Sequence, residues 1–113
     1  MGPGDLALAR FPFGGTVGAK LRPVLMLTGP LGTVPEFLVS HITSVVPPDV
    51  LPSDLLLDPT LPEHASTKLK VGSLLRLHKL ATIHQSDIVR ILGKLPPSVW
   101  QEVESKLRLF LNL

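Results

Sequence analysis

The chain has no cysteine and no tyrosine. Without thiols there can be no disulfide scaffold, no thiolate metal site and no cysteine nucleophile. Their absence also suits a reducing compartment. Aromatic rings are scarce, with four phenylalanines and one tryptophan, so unstacked bases would find few platforms. No run of about 18 uncharged apolar residues occurs, which excludes a membrane-spanning helix. The N-terminal residues lack the charged start and apolar stretch of a signal peptide. Nucleotide-binding glycine motifs and the G-x-S-x-G elbow are also missing. His41, His64, His78 and His84 show no close ligand pair, so no metal and no cofactor is expected. The expectation is a soluble cytoplasmic domain.

What is present fills one domain. The 113 residues leave too little chain for two, so residues 1–113 are expected to form a single unit with 1–3 as a loose tail. A hydrophobic fraction of 44% and a mean hydropathy of +0.35 supply a core and exclude extended disorder. Net charge is only +2, yet the charges are sorted along the chain. Between Arg22 and Lys68 the acids Glu36, Asp49, Asp54, Asp58 and Glu63 occur without a lysine or arginine. From Lys68 to Lys94 the sign reverses, with Asp87 facing Lys68, Lys70, Arg76, Lys79, Arg90 and Lys94. Such sorting either gives one face a positive potential or merely distributes solvated charges. A pI near 9.3 permits a polyanion partner without requiring one.

Proline and glycine punctuate short apolar runs through the first two thirds of the chain. Asp5 to Phe11, Pro23 to Thr28, Phe37 to Val45, Asp54 to Leu57 and Leu74 to Leu80 read as strands. Gly14 to Lys20 reads as a flexible loop, and Pro59 to Lys70 as another. Ile88, Val89, Ile91 and Leu92 read as a short helix stopped by Gly93. A second helix is expected from Pro97, with Trp100, Val103, Leu107 and Phe110 as its apolar stripe. Strands followed by helices predict a mainly β fold, a small barrel or compact sheet with a helical tail.

Several polar residues interrupt the apolar strands. Arg22 opens one strand, Thr43 and Ser44 end another, and Arg76 and His78 point to one side of a third. Each alone fits a solvated strand end, an edge hydroxyl or an exposed strand residue. Together they fit a phosphate site, because a guanidinium stays charged and its fork matches phosphate oxygens.

These residues also carry a family resemblance. Gly4-Asp5-Leu6-Ala7-Leu8, Phe11-Pro12-Phe13, the glycine loop, Lys20-Leu21-Arg22-Pro23-Val24-Leu25 and Ile42-Thr43-Ser44 follow one another in order. Ser73 to Ile83, Leu92-Gly93-Lys94-Leu95 and a terminal helix complete the pattern. From Gly4 onward the chain resembles the PemK/MazF family of toxins. The resemblance implies an SH3-like small β-barrel with C-terminal helices, acting as a homodimer. It implies the toxin of a type II toxin–antitoxin module, a sequence-specific and metal-independent endoribonuclease. Such an enzyme cuts single-stranded mRNA by attack of the 2′-hydroxyl, leaving a 2′,3′-cyclic phosphate and a 5′-hydroxyl. A cognate antitoxin would block it, an acidic extended peptide lying over Lys68 to Lys79.

Carried residue by residue, the resemblance assigns catalysis to Arg22, Thr43 and Arg76. The family's acidic companion of the second arginine falls on position 78, where this chain has His78. A histidine that some members carry in the first loop has no counterpart in Gly15-Thr16-Val17. His78 titrates near neutrality and is expected to move a proton in place of the acid. Phe13, Thr16, Lys20, Ser44 and Lys79 are expected to bind RNA. Two other readings stand beside the enzyme. One is a barrel that binds RNA or antitoxin with weakened cleavage. The other is poisoning of gyrase through the terminal helix, against which Trp100 and Phe110 sit at core spacing.

Overall fold

The computed structural model describes residues 1–11 and 20–113. Phe13, Thr16 and the rest of the expected glycine loop up to Ala19 lie outside the described residues. The strands are β1 (Asp5–Phe11), β2 (Lys20–Met26), β3 (Glu36–Thr43), β4 (Asp54–Leu57), β5 (Ser73–His84) and β6 (Ile88–Lys94). One α-helix, α1 (Pro97–Leu111), follows them, and 3₁₀ turns occupy Pro62–Thr67 and Gln85–Asp87. All the strands pair antiparallel in one sheet of order β4-β5-β3-β2-β1-β6. Among the described residues no helix is long and apolar enough to cross a membrane.

The sheet is mainly β and curved, as a small barrel requires, but its hydrogen-bond ladder stays open between β4 and β6. Curvature follows from burial. Val24, Leu25 and Met26 are consecutive and all fully buried, so both faces of β2 are covered. On one face Leu6, Leu25, Ile42, Leu75 and Leu77 pack with Val99 and Val103 of α1. On the other, Ala7, Ala9, Phe11, Val24, Met26, Phe37 and Val39 pack with Ile83. β5 therefore serves both clusters, Leu75 and Leu77 in the first and Ile83 in the second.

A large bulge lets it do so. Ser40 pairs with Leu80, and the next residue, His41, pairs with Arg76. Leu77, His78 and Lys79 are thus extra residues on the β5 side, which bends the strand. The backbone groups this disturbs find other partners. Ser40 Oγ donates to Arg76 O at 2.8 Å, and Leu77 N donates to Ser53 O at 3.0 Å.

Two expectations are corrected. The short helix over Ile88 to Leu92 is instead β6, hydrogen-bonded along β1 from Asp5↔Lys94 to Ala9↔Ile88. Ile88, Val89 and Ile91 are β-branched and suit a pleated surface, and the free edge of β1 needed a partner. Among the described residues only one α-helix remains, where helices were expected. Gly93 accordingly caps no helix. A Cβ built there would stand 2.3 Å from Ser66 O and 2.6 Å from Thr67 O, so the glycine admits the backbone of the 62–67 turn. The second correction concerns Phe110. Val103 is buried and Trp100 and Leu107 pack against the core, but Phe110 is 46% exposed. The apolar stripe outlasts the sheet beneath it.

Gly93→Ala should therefore lower stability by about 1–3 kcal/mol, the usual cost of forced overpacking. Gly72→Ala is the control, since nothing lies within 4 Å of its Cβ position. Thermal unfolding of both variants checks this, and equal melting temperatures would contradict the packing account.

Candidate active site

The site begins where the β2–β3 ladder ends. Its last recorded pair is Val24↔His41. Continued along both strands, the same register sets Arg22 against Thr43. Both residues, with Ser44, line a single cavity of about 400 Å³. Arg22 is exposed at the start of β2, beside Pro23, which has no N–H to give. Among the described residues Arg22 makes no ion pair. Its guanidinium is therefore available to an anion.

Thr43 is fixed by the turn that follows it. Its Oγ1 accepts a hydrogen bond from Val45 N at 3.1 Å and lies 3.4 Å from Val45 O. The bond to the amide orients the hydroxyl, and its own hydrogen is only weakly held at that second distance. Besides Arg22, the cavity is lined by Lys68, Lys70 and Arg90 and, among the described residues, by no acidic one.

The other expected residues form a neighbouring group on β5. Arg76 Nε donates to Asp54 Oδ1 at 3.1 Å, and Nη2 to Oδ2 at 3.4 Å. The Asp54 side chain is fully buried and also accepts from Leu51 N at 2.8 Å. Two opposed ladder positions create this pair, because Asp54 stands across from Arg76. His78 Nδ1 lies 3.0 Å from Ser53 Oγ and 3.8 Å from Asp54 Oδ1. Burial and then Arg76 push the His78 pKa down, against the pull of Asp54. Arg76, His78, Lys20 and Lys79 do not line the cavity that holds Arg22 and Thr43. Lys20 and Lys79 are exposed on β2 and β5.

His41 joins the two groups. It is paired with Val24 on one side and Arg76 on the other, and its ring stacks on Phe11 with centroids 5.0 Å apart. Burial first, then the charges of Lys79, Arg22 and Arg76, hold its pKa down to about 4. A neutral imidazole thus stands amid three cations contributed by two strands. Sequence reasoning treated His41 only as a histidine without a metal partner. It also missed Asp54, since nothing local marks a residue whose role comes from a partner 22 positions away. Lys68, Lys70 and Arg90 were visible as part of the basic segment but were not tied to the site. Among the described residues no group of three or more His, Asp or Glu side chains is placed to hold a metal.

Known proteins agree with this architecture. The family model of the PemK-like, MazF-like toxins of type II toxin–antitoxin systems matches residues 2–111. No curated relative matches the chain. Among solved structures, the Mycobacterium tuberculosis toxin MazF-mt6 superposes with a TM-score of 0.72 at 23% identity, over 96% of this chain and 97% of that one. An endoribonuclease in complex with its cognate antitoxin, from a mycobacterial species, gives 0.72 at 14% identity, covering 100% and 96%. Another mycobacterial endoribonuclease gives 0.71 at 13% identity, covering 100% and 92%. At these identities the structures show a shared fold, while the family model spans nearly the whole sequence. The chain belongs to the PemK-like, MazF-like toxins of type II toxin–antitoxin systems.

Proposed function

We propose that this toxin is a sequence-specific, metal-independent endoribonuclease acting on single-stranded mRNA. The 2′-oxygen of a ribose bonds to the adjacent phosphorus, the bond from phosphorus to the 5′-oxygen breaks, and a proton reaches the departing oxygen. A 2′,3′-cyclic phosphate and a 5′-hydroxyl result. The observation that carries this reading is the shared cavity of Arg22 and Thr43, rimmed by further cations and free of carboxylates. Negative charge builds on the phosphoryl oxygens in the transition state. The Arg22 guanidinium and the Thr43 hydroxyl, which line the same cavity, stabilise that charge. Two of the solved structures with this fold are endoribonucleases, which supports the assignment.

Proton transfer falls to His78. The Asp54 carboxylate on the Nδ1 side favours the tautomer with hydrogen on Nδ1, donated to Ser53 Oγ. Nε2 then keeps its lone pair and serves as base for a 2′-hydroxyl that RNA, spanning the cavity and the neighbouring group on β5, brings to it. Arg76, paired with Asp54, holds the carboxylate that faces Nδ1 of this group.

The whole chain, on this reading, acts as one cytoplasmic toxin domain in a homodimer. Exposed Val45, Val46, Val50 and Leu56 give a second copy apolar surface to cover. One structure of the same fold holds its cognate antitoxin, and the basic segment Lys68 to Lys79 suits an acidic antitoxin peptide that competes with RNA. Ser44 in the cavity and Lys20 and Lys79 outside it extend the RNA contact; Phe13 and Thr16, the other expected contacts, lie outside the described residues.

Mapping the cleaved ends of a defined transcript tests the proposal. Cyclic-phosphate and 5′-hydroxyl ends should form with a chelator present, and Arg22→Ala or Thr43→Ala should slow cleavage by about 10²–10³-fold. Intact transcript, or equal cutting by Arg22→Ala, would overturn it. His78→Ala should cost about 10²–10⁴-fold. Because the His78 pKa is lowered from 6.5, the parent should lose activity only as pH falls below that value. An acidic limb above it, or an unchanged rate in His78→Ala, would remove this residue from the mechanism.

A further inference from the structure

Lys68, Lys70 and Arg90 line the cavity yet have no part in the bond-making chemistry. All three are exposed, and among the described residues none makes an ion pair. Their charge is not needed to neutralise a buried acid. The cavity they surround has the volume of a ligand site. Buried Ile42 and half-buried Leu8, Leu69 and Leu92 form its apolar lining. Cations around an apolar hollow suit a molecule with an anionic edge and a flat, weakly polar body.

The backbone that presents Lys68 is unusual. This residue has φ 58° and ψ 21°, a left-handed conformation that costs any residue with a Cβ. Glycine or asparagine would meet the geometry at lower cost. The turn is nevertheless firmly built. Lys68 N donates to Ala65 O at 3.2 Å. Thr67 is buried, and its Oγ1 donates to His64 O at 2.8 Å and accepts from Leu69 N at 3.3 Å. Ser66 Oγ donates to Lys94 O at 2.7 Å, tying the turn to β6, the strand that carries Arg90. A strained lysine on a rigid mount is a position where charge is kept at the expense of stability.

We infer that Lys68, Lys70 and Arg90 form a phosphate-binding subsite that grips the RNA backbone beside the scissile bond and seats the adjoining nucleotide in the cavity. The inference rests on the nuclease reading and adds the residues that hold the substrate in register. Phosphate contacts of this kind position a nucleic acid without reading its sequence. They also release counterions, so their number appears in the salt dependence of binding.

The test uses the full-length toxin and a 2′-O-methylated single-stranded oligonucleotide of mixed sequence, which lacks the attacking hydroxyl. Binding is measured against salt for the parent, for Lys68→Gly, and for the combination Lys68→Gly, Lys70→Gln and Arg90→Gln. Each lost phosphate contact should lower the slope of log affinity against log salt by about 0.7, and the combination should lower it by about 2. Lys68→Gly should melt no lower than the parent, so its weaker binding cannot come from misfolding. On a cleavable transcript the combination should raise KM roughly tenfold or more with kcat near that of the parent. Coincident slopes would overturn the subsite. So would a fall in kcat at unchanged KM, which would put these cations in the chemistry instead. Absence of cleavage by the parent would count against the nuclease reading alone, because the slope comparison still decides the subsite.

Discussion

The structure depends on the insertion of Leu77, His78 and Lys79 into β5 opposite a single step of β3. Without it, β5 would run as a regular strand alongside β3 and commit one alternating set of side chains to one face. With it, the near half of β5 faces α1 and the far half closes the second cluster. The same bend lifts His78 and Lys79 away from the ladder. Its cost is a set of backbone groups without ladder partners, and Ser40 and Ser53 meet it. A buried serine at position 40 in an apolar strand is thus explained by the carbonyl it satisfies. An unsatisfied carbonyl in that place would cost about 1–3 kcal/mol.

Charge is arranged around this bend in two ways. Arg76 is matched by a buried carboxylate, and the pair forms a fixed unit in which neither partner can be removed cheaply. Arg22 has no such partner among the described residues, and the charged side chains that share its cavity are Lys68, Lys70 and Arg90. His41 lies between the two arrangements and registers both, being neutral down to about pH 4. Its folded pKa is below its unfolded one. The resulting stability is complete above about pH 6.5 and is lost as pH falls toward about 4. The cluster of cations is therefore tolerated best with a neutral imidazole at its centre. A bound phosphate would relieve the same repulsion from outside.

The amino-acid sequence made much of this legible, and for identifiable reasons. Alternation and proline–glycine punctuation located β1 and β4 at their observed bounds, and β2, β3 and β5 with shifted ends. Pro97 marked the start of α1 because a proline at a first helical position has a local physical cause. The resemblance carried by the Arg-Pro and Ile-Thr-Ser motifs named Arg22 and Thr43 together, and both line one cavity. β6 was missed because Ile88-Val89-x-Ile91-Leu92 fits either period over so short a run. What decided it was an edge of β1 far away in sequence. Gly93 was assigned to a cap for the same reason, since its real neighbour is the 62–67 backbone. The Asp54–Arg76 pair and the mounting of Lys68 are also products of tertiary register.

Position 78 shows how a departure from a family pattern can be read from its surroundings. Where the family resemblance leads one to expect an acid two residues after Arg76, this chain has an imidazole, and the arginine is neutralised from another strand. Asp54 lies across the ladder from Arg76 and near His78 Nδ1, so one carboxylate bears on both side chains. The negative charge beside Arg76 thus stands on β4, at the buried Asp54, and not at position 78 of β5. An acid kept at position 78 would have stood close to Asp54, and two adjacent carboxylates resist joint ionisation. Histidine avoids that repulsion and retains a group that exchanges a proton near neutrality. The substitution is therefore consistent with a buried acid at position 54, and the two residues are best understood as one unit.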